Sequence, residues 1–385
     1  MSSFRLTRRR AAVVGAIIVT VSGILFLGAG WYYSGLIEDG AFKIDLSADE
    51  LDLEIISVSE DQVSFEHPAG EGRWTQPGIW GLEWDDGYAR IGGLISDENG
   101  IATREFIAVD GRPEIGVSAR MDREYFRTDP LVAHGMPFEE VSFQGPIGEL
   151  GGWFVEGGDT WVILVHGHAG ERDESLRALP AIDRAGMSSL VIDYRNDAGT
   201  DEDPSGYYMY GVTEWRDLEA AVRYALDQGA KSIVPYGYSM GGGIVMSFMY
   251  NSELTESVSG VVLDAPMLDL SRVIDQAASE RHVPGFITSM ARFITEQRFD
   301  IEFDDMAYLG AVDQLAAPVL LFHGDSDDRV PVETSDELAG ARPDIVTYER
   351  VVGAEHVHAW NLDPGRYESA VESFLDSIQD ASPGA

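Results

Sequence analysis

The chain has 385 residues, 44% of them hydrophobic, enough for one large domain with a substantial core and an extra element besides. An excess of acid, 66 acidic against 27 basic residues, gives a formal net charge of -39 and argues against nucleic acid and anionic lipid headgroups as partners. With no cysteine there is no disulfide framework, no thiol nucleophile and no thiolate-ligated metal.

Arg5, Arg8, Arg9 and Arg10 precede an uncharged stretch, Ala11 through Tyr33, that is rich in Val, Ile, Leu and Phe. It is about the length needed to cross a bilayer as a helix. Glu38 and Asp39 follow it. The positive-inside bias then makes residues 1–10 a cytoplasmic basic leader and 11–33 a single-pass signal-anchor transmembrane helix, with the rest of the chain outside the cytoplasm. Trp31, Tyr32 and Tyr33 fit an interfacial aromatic anchor. A cleaved, secreted form is the alternative, because Gly28-Ala29-Gly30 offers small residues, but a cleavable signal normally has an apolar region of about 7–15 residues.

Residues 34–140 read as a β-rich accessory segment: short alternating runs such as Leu51–Val58 and Arg90–Ile95 are separated by Gly, Pro, Asp and Asn. Val141-Ser142-Phe143 followed by Gly151–Val155 suggests an antiparallel hairpin opening the second unit, residues 141–380. From Trp161 onward, apolar runs at 161–165, 189–192, 232–236, 259–263 and 318–322 alternate with helical patterns such as Leu176–Ala185 and Glu214–Leu226. That alternation predicts an α/β fold, a mostly parallel sheet with helices on both faces. Between the strand ending near Asp264 and the one starting at Pro318, Ser271–Ala278 and Phe286–Ile294 look like amphipathic helices. Residues 267–316 then form either a lid or a decorated crossover, and both readings stay open.

Within this frame Gly237-Tyr238-Ser239-Met240-Gly241 sets a serine with small neighbours between an apolar strand and an apolar helix. A strained strand-to-helix turn of this kind holds a nucleophilic hydroxyl out of the backbone. Pro235, which has no N–H for a ladder, should sit at a strand end or an irregularity. A serine needs a base within hydrogen-bond reach and an acid to fix that base's tautomer. His323-Gly324-Asp325-Ser326-Asp327-Asp328-Arg329-Val330-Pro331 directly follows the strand at 318–322, and Gly353-Ala354-Glu355-His356-Val357-His358 follows another.

These motifs, in the order serine, acid, histidine, make residues 141–378 resemble the α/β-hydrolase superfamily, nearest to its esterase-like and prolyl-oligopeptidase-like serine hydrolases. The resemblance implies Ser239 as nucleophile, Asp327 as triad acid and His356, rather than His358, as base. Asp325 and Asp328 are left as turn residues and His323 as structural. His166-Gly167-His168-Ala169-Gly170 resembles the family's oxyanion loop, which implies backbone N–H donors at His168 and Met240. His166-x-His168 and His356-x-His358 lack the carboxylate continuation of zinc hydrolases, so neither metal nor cofactor is expected. Asp193-Tyr194-Arg195 either shapes the pocket or forms a structural ion pair.

The expected function is a membrane-anchored, extracytoplasmic serine hydrolase that cleaves carboxylic esters, small or lipid-like, through an acyl-enzyme. A serine peptidase or acyltransferase of the same fold is the alternative. A reading from another class is a cell-envelope binding or scaffold protein with a vestigial hydrolase domain.

Overall fold

The computed structural model describes residues 8–47, 50–68 and 73–381, so most of the basic leader lies outside the described residues. The chain opens with one 30-residue apolar helix, α1 (Arg8–Ile37), which continues into a π-helical turn, Glu38–Phe42. Val19, Ile24, Leu25 and Trp31 lie on the surface of α1 rather than in any core.

Six strands follow: β1 (Leu53–Val58), β2 (Gln62–Glu66), β3 (Trp80–Trp84), β4 (Gly87–Glu98), β5 (Ile101–Asp110) and β6 (Ser118–Asp122). They close into an antiparallel barrel in the order β1-β2-β5-β4-β3-β6, sealed by pairing of Leu53 with Ala119. Ile55, Phe65, Trp80, Leu82, Ile91 and Met121 fill it from alternating positions, as a half-buried strand requires. The single-face alternation was legible in the sequence, whereas the closure was not.

A short helix, α2 (Pro130–His134), leads into an eight-stranded sheet. Its strands are β7 (Glu139–Gln144), β8 (Glu149–Val155), β9 (Gly158–Val165), β10 (Met187–Ile192), β11 (Ser232–Tyr238), β12 (Val261–Asp264), β13 (Val319–Gly324) and β14 (Val346–Val351). Their order is β14-β13-β12-β11-β9-β10-β8-β7. β9 through β14 pair in parallel, while β7 and β8 form the antiparallel hairpin at one edge. The intervening helices are α3 (Leu179–Arg184), α4 (Trp215–Asp227), α5 (Met240–Asn251), α6 (Leu270–Glu280), α7 (Gly285–Phe299), α8 (Val332–Ala341), α9 (Ala359–Leu362) and α10 (Pro364–Ala381). One apolar cluster packs α4 and α5 on the first sheet face, and a second packs α3 and α10 on the other.

Pro235 lies inside β11, where it pairs with Ile163 of β9. On the other side the pairing slips by one residue there, from Ile233 with Val258 to Tyr236 with Val262, so the missing N–H falls at an irregularity. Residues 267–316 hold α6, α7 and two 3-10 turns, and α7 packs against α1 rather than across the sheet edge.

The turn after α1 is not a loose linker. Phe42 is fully buried in the same core cluster as β9 and α5, with ring contacts to Tyr207, Tyr210 and Phe303. Its carbonyl accepts from Tyr208 N–H at 2.8 Å, and Tyr207 Oη donates to Glu38 at 2.9 Å. Packing therefore assigns residues 38–43 to the sheet unit, although they precede the barrel in sequence.

Candidate active site

Four neighbouring loops converge where β9, β11, β13 and β14 end, the edge at which open α/β sheets bind ligands. Ser239 follows β11 with φ 49° and ψ -114°, a conformation that L-residues rarely adopt. The flanking glycines make this turn possible. A Cβ on Gly237 would lie 2.4 Å from the Gly241 carbonyl oxygen, and one on Gly241 would lie 2.2 Å from that of Val165.

Ser239 Oγ lies 2.7 Å from His356 Nε2, and His356 Nδ1 lies 2.7 Å from Asp327 Oδ2. Asp327 Oδ1 accepts the backbone N–H groups of Arg329 and Val330, each at 2.8 Å, which fixes the carboxylate in its turn. The structure thus brings Ser239, His356 and Asp327 into one hydrogen-bonded run. His358 turns away and packs edge-on against Trp80 of the barrel at 4.6 Å. Asp325 binds the Gly353 N–H at 2.8 Å, tying the acid loop to the histidine loop.

Burial works against the charge on Asp327, but the facing imidazoles of His356 and His323 outweigh it and hold the carboxyl far below its usual range. Burial pushes the His356 imidazole below its ordinary value, and Arg329 and Arg123 add to the shift against the pull of Asp327. A neutral imidazole beside an ionised carboxylate is the state a general base requires.

His323 is the site residue that sequence reasoning set aside as structural. Its Nε2 lies 3.1 Å from Asp327 Oδ2 and 3.1 Å from the Val330 carbonyl, and its Nδ1 lies 2.7 Å from Ser335 Oγ. Because Nε2 faces two oxygen acceptors, it is the nitrogen that donates there and gives Asp327 a second imidazole donor. Its position one residue before the end of a buried strand was the signal in the sequence.

The His166–Gly170 turn sits against the nucleophile, since a Cβ on Gly167 would come within 3.2 Å of Ser239 Cβ. Gly167 N–H donates to buried Glu174 at 2.7 Å, and Tyr194 Oη donates to the Gly167 carbonyl at 2.9 Å. Met240 is the first residue of α5, so its N–H lies at the positive end of that helix. The His168 ring packs on Tyr208 and Tyr210, and its Nε2 meets the Ala41 carbonyl at 3.2 Å. Burial depresses its pKa to about 4, so the ring donates as a neutral imidazole. His166 instead meets Asp197 at 2.9 Å. Burial would depress the His166 pKa, but the Asp197 carboxylate lifts it to about 9. The two histidines of that pair therefore serve separate partners. Arg195 lies buried between Asp203 and Asp217, and Asp193 pairs with Arg172, so these residues form structural ion pairs.

The barrel supplies the opposite wall. Between it and the sheet lies a cleft of about 1020 Å³, lined by Arg120, Asp122, Arg123, Arg127, Asp173, Arg329, His168 and His356 among others. Arg123 of the segment after β6 reaches Glu174 at 3.4 Å, beneath the Gly167 turn. Asn361 Nδ2 donates to the Ile79 and Arg123 carbonyls, joining α9 to the barrel beside the histidine loop. Burial and the charge of Glu124 push the Asp173 carboxyl up to about 7.

Residues 177–342, a stretch that holds Ser239 and Asp327, match the prolyl oligopeptidase family, and residues 57–122 of the barrel match a domain of unknown function. An uncharacterized protein of Mycobacterium tuberculosis is 26% identical over 230 residues, 59% of this chain and 74% of that protein. The uncharacterized protein YqkD of Bacillus subtilis is 20% identical over 240 residues, 61% of this chain and 77% of its own. Among solved structures, an esterase of Pyrococcus furiosus superimposes with a TM-score of 0.53 at 22% identity, covering 65% of this chain and 94% of the esterase, a likeness of fold. With its sheet order, its strained serine turn and these likenesses, the chain has the α/β-hydrolase fold, and its central stretch is similar to the prolyl oligopeptidase family.

Proposed function

We propose that the protein is a serine hydrolase that cleaves carboxylic esters through an acyl-enzyme. The observation that carries this reading is the hydrogen-bonded run from Ser239 through His356 to Asp327. His356 Nε2 takes the Ser239 proton as Oγ attacks the carbonyl carbon, and the backbone N–H groups of His168 and Met240 receive the developing oxyanion. The resulting imidazolium, stabilised by Asp327, returns its proton to the leaving alkoxide. A water activated by the same imidazole then releases the acid and restores Ser239.

The charged walls of the cleft favour a polar or charged ester over a long-chain one, because an apolar chain would desolvate arginines and carboxylates without replacing their partners. Hydrolysis of peptides is the second reading, favoured by the prolyl oligopeptidase match across the serine and the acid. The exposed apolar surface of α1 supports a membrane anchor, and the arginines that precede it support an enzyme outside the cytoplasm.

Ser239→Ala is expected to reduce turnover of p-nitrophenyl acetate by at least about 10⁴-fold and to abolish fluorophosphonate labelling. Retention of both would overturn the assignment. A panel of short-chain, long-chain and charged esters against aminoacyl anilides separates the ester reading from the peptide reading.

A further inference from the structure

α7 runs beside the outer part of α1 in the same direction. The Phe286 ring lies 5.8 Å from that of Phe26, Met290 and Ile294 pack on Gly30, and Thr295 Oγ1 bonds Ser34 Oγ at 3.0 Å. Arg298 stacks on Trp31 at 4.2 Å and also reaches Glu38. The start of α7 therefore reaches past the aromatic residues 31–33 toward the middle of the apolar stretch. Phe26 precedes Trp31 by five residues, about 8 Å along a helix axis.

At this level α7 still presents apolar side chains to the outside: Phe286 is 64% exposed and Phe293 56% exposed, like Leu25 of α1 at 68%. Behind it, α1, α6 and α7 flank a partly open apolar pocket of about 330 Å³ lined by Leu36, Ile37, Val273, Ile274, Ala277 and Val283 among others. The Ala41 backbone and Tyr210, which also line it, separate it from His168 and the charged cleft. Such a pocket offers water few polar partners and suits hydrocarbon.

We infer that the turn between α6 and α7, with the first turns of α7, enters the outer leaflet beside α1 and forms a second membrane contact whose partner is the acyl-chain region of the bilayer. Its depth matches the 5–10 Å or so typical of interfacial helices. The exposed Glu280, Arg281 and His282 at the turn limit it, because they must keep their polar ends among the headgroups. This inference rests on α1 spanning the bilayer.

The absence of cysteine allows a single thiol to be placed at will. Full-length Phe286→Cys, Leu25→Cys and Ser373→Cys proteins, the last on the exposed face of α10, would each carry an environment-sensitive fluorophore in phosphatidylethanolamine–phosphatidylglycerol vesicles containing doxyl-labelled phosphatidylcholine. Fluorophosphonate labelling would report that each variant is folded. The expected result is blue-shifted emission quenched by doxyl lipid at positions 286 and 25, with the label at 373 unquenched. Quenching at 25 with a water-like, unquenched label at 286 would overturn the inference and leave the anchor reading standing. An unquenched label at 25 would overturn the anchor reading and this inference with it.

Discussion

Truncating Phe42 to alanine tests whether the end of α1 belongs to the enzyme. The ring is fully buried, and its contacts with Tyr207, Tyr210 and Phe303 join three separate segments. Removing a buried phenylalanine side chain costs about 3–5 kcal/mol through lost transfer free energy and the cavity left behind. At roughly 2–4 °C per kcal/mol, the scale of a 150–250-residue domain such as the sheet unit, the midpoint of thermal unfolding should fall by about 6–20 °C. A kinetic effect should accompany the loss of stability. The neighbouring Ala41 carbonyl accepts from both His168 and Tyr210, and the His168 backbone is a proposed oxyanion donor. One such donor is worth about 3–4 kcal/mol in the transition state, so partial misplacement should lower kcat by about 10- to 100-fold. Circular dichroism of the full-length protein in detergent, with p-nitrophenyl acetate kinetics well below the new midpoint, reads both quantities. A midpoint within about 2 °C of the parent and an unchanged kcat would refute the coupling of this turn to the site.

Other substitutions probe separate parts of the argument. Because burial lowers the His356 pKa, kcat/KM should rise with pH through a midpoint below the free imidazole value of about 6.5, and Arg329→Gln should move that limb upward in a pH–rate profile. His323→Phe should lower kcat about 10- to 100-fold with little change in KM, the scale of one hydrogen bond to a charged group; unchanged kcat would remove His323 from the site. Gly241→Ala should cost about 1–3 kcal/mol or more, read by urea unfolding, since its new methyl would meet rigid backbone at Val165. The raised pKa of His166 gives a contribution to stability that is complete below about 6.5 and lost as pH rises through about 9. Asp197→Asn should flatten that part of a stability–pH curve measured by denaturant midpoints.

Much of the sheet was legible because each buried parallel strand is an apolar run bounded by turn residues, and the candidate site residues follow such runs directly. Ser239, Asp327 and His356 could thus be named before any contact was visible, Asp327 and His356 each with help from the resemblance of its loop to a known family's. His323 was read only as structural because its contacts depend on two returns of the chain, the turn that carries Asp327 back over it and the register of α8 that brings Ser335 to its other nitrogen. Alternation likewise marks β1 through β6 as strands but carries no information on the pairing of β1 with β6 across more than 60 intervening residues. The cleft lining escaped for the same reason, since Arg120, Arg123 and Arg127 face the site only because the closed barrel leans on α9.

A chain tethered through a loose linker samples many heights and tilts above its membrane. Here Ser34, Glu38, Ala41 and Phe42 are all held by the sheet unit or by α7, so no swivel separates α1 from the catalytic edge. With the anchoring proposed above, Ser239 works at one fixed altitude and in one orientation. Selection among substrates then has a geometric component, in which a scissile bond is cleaved or spared according to how far from the bilayer its carrier presents it.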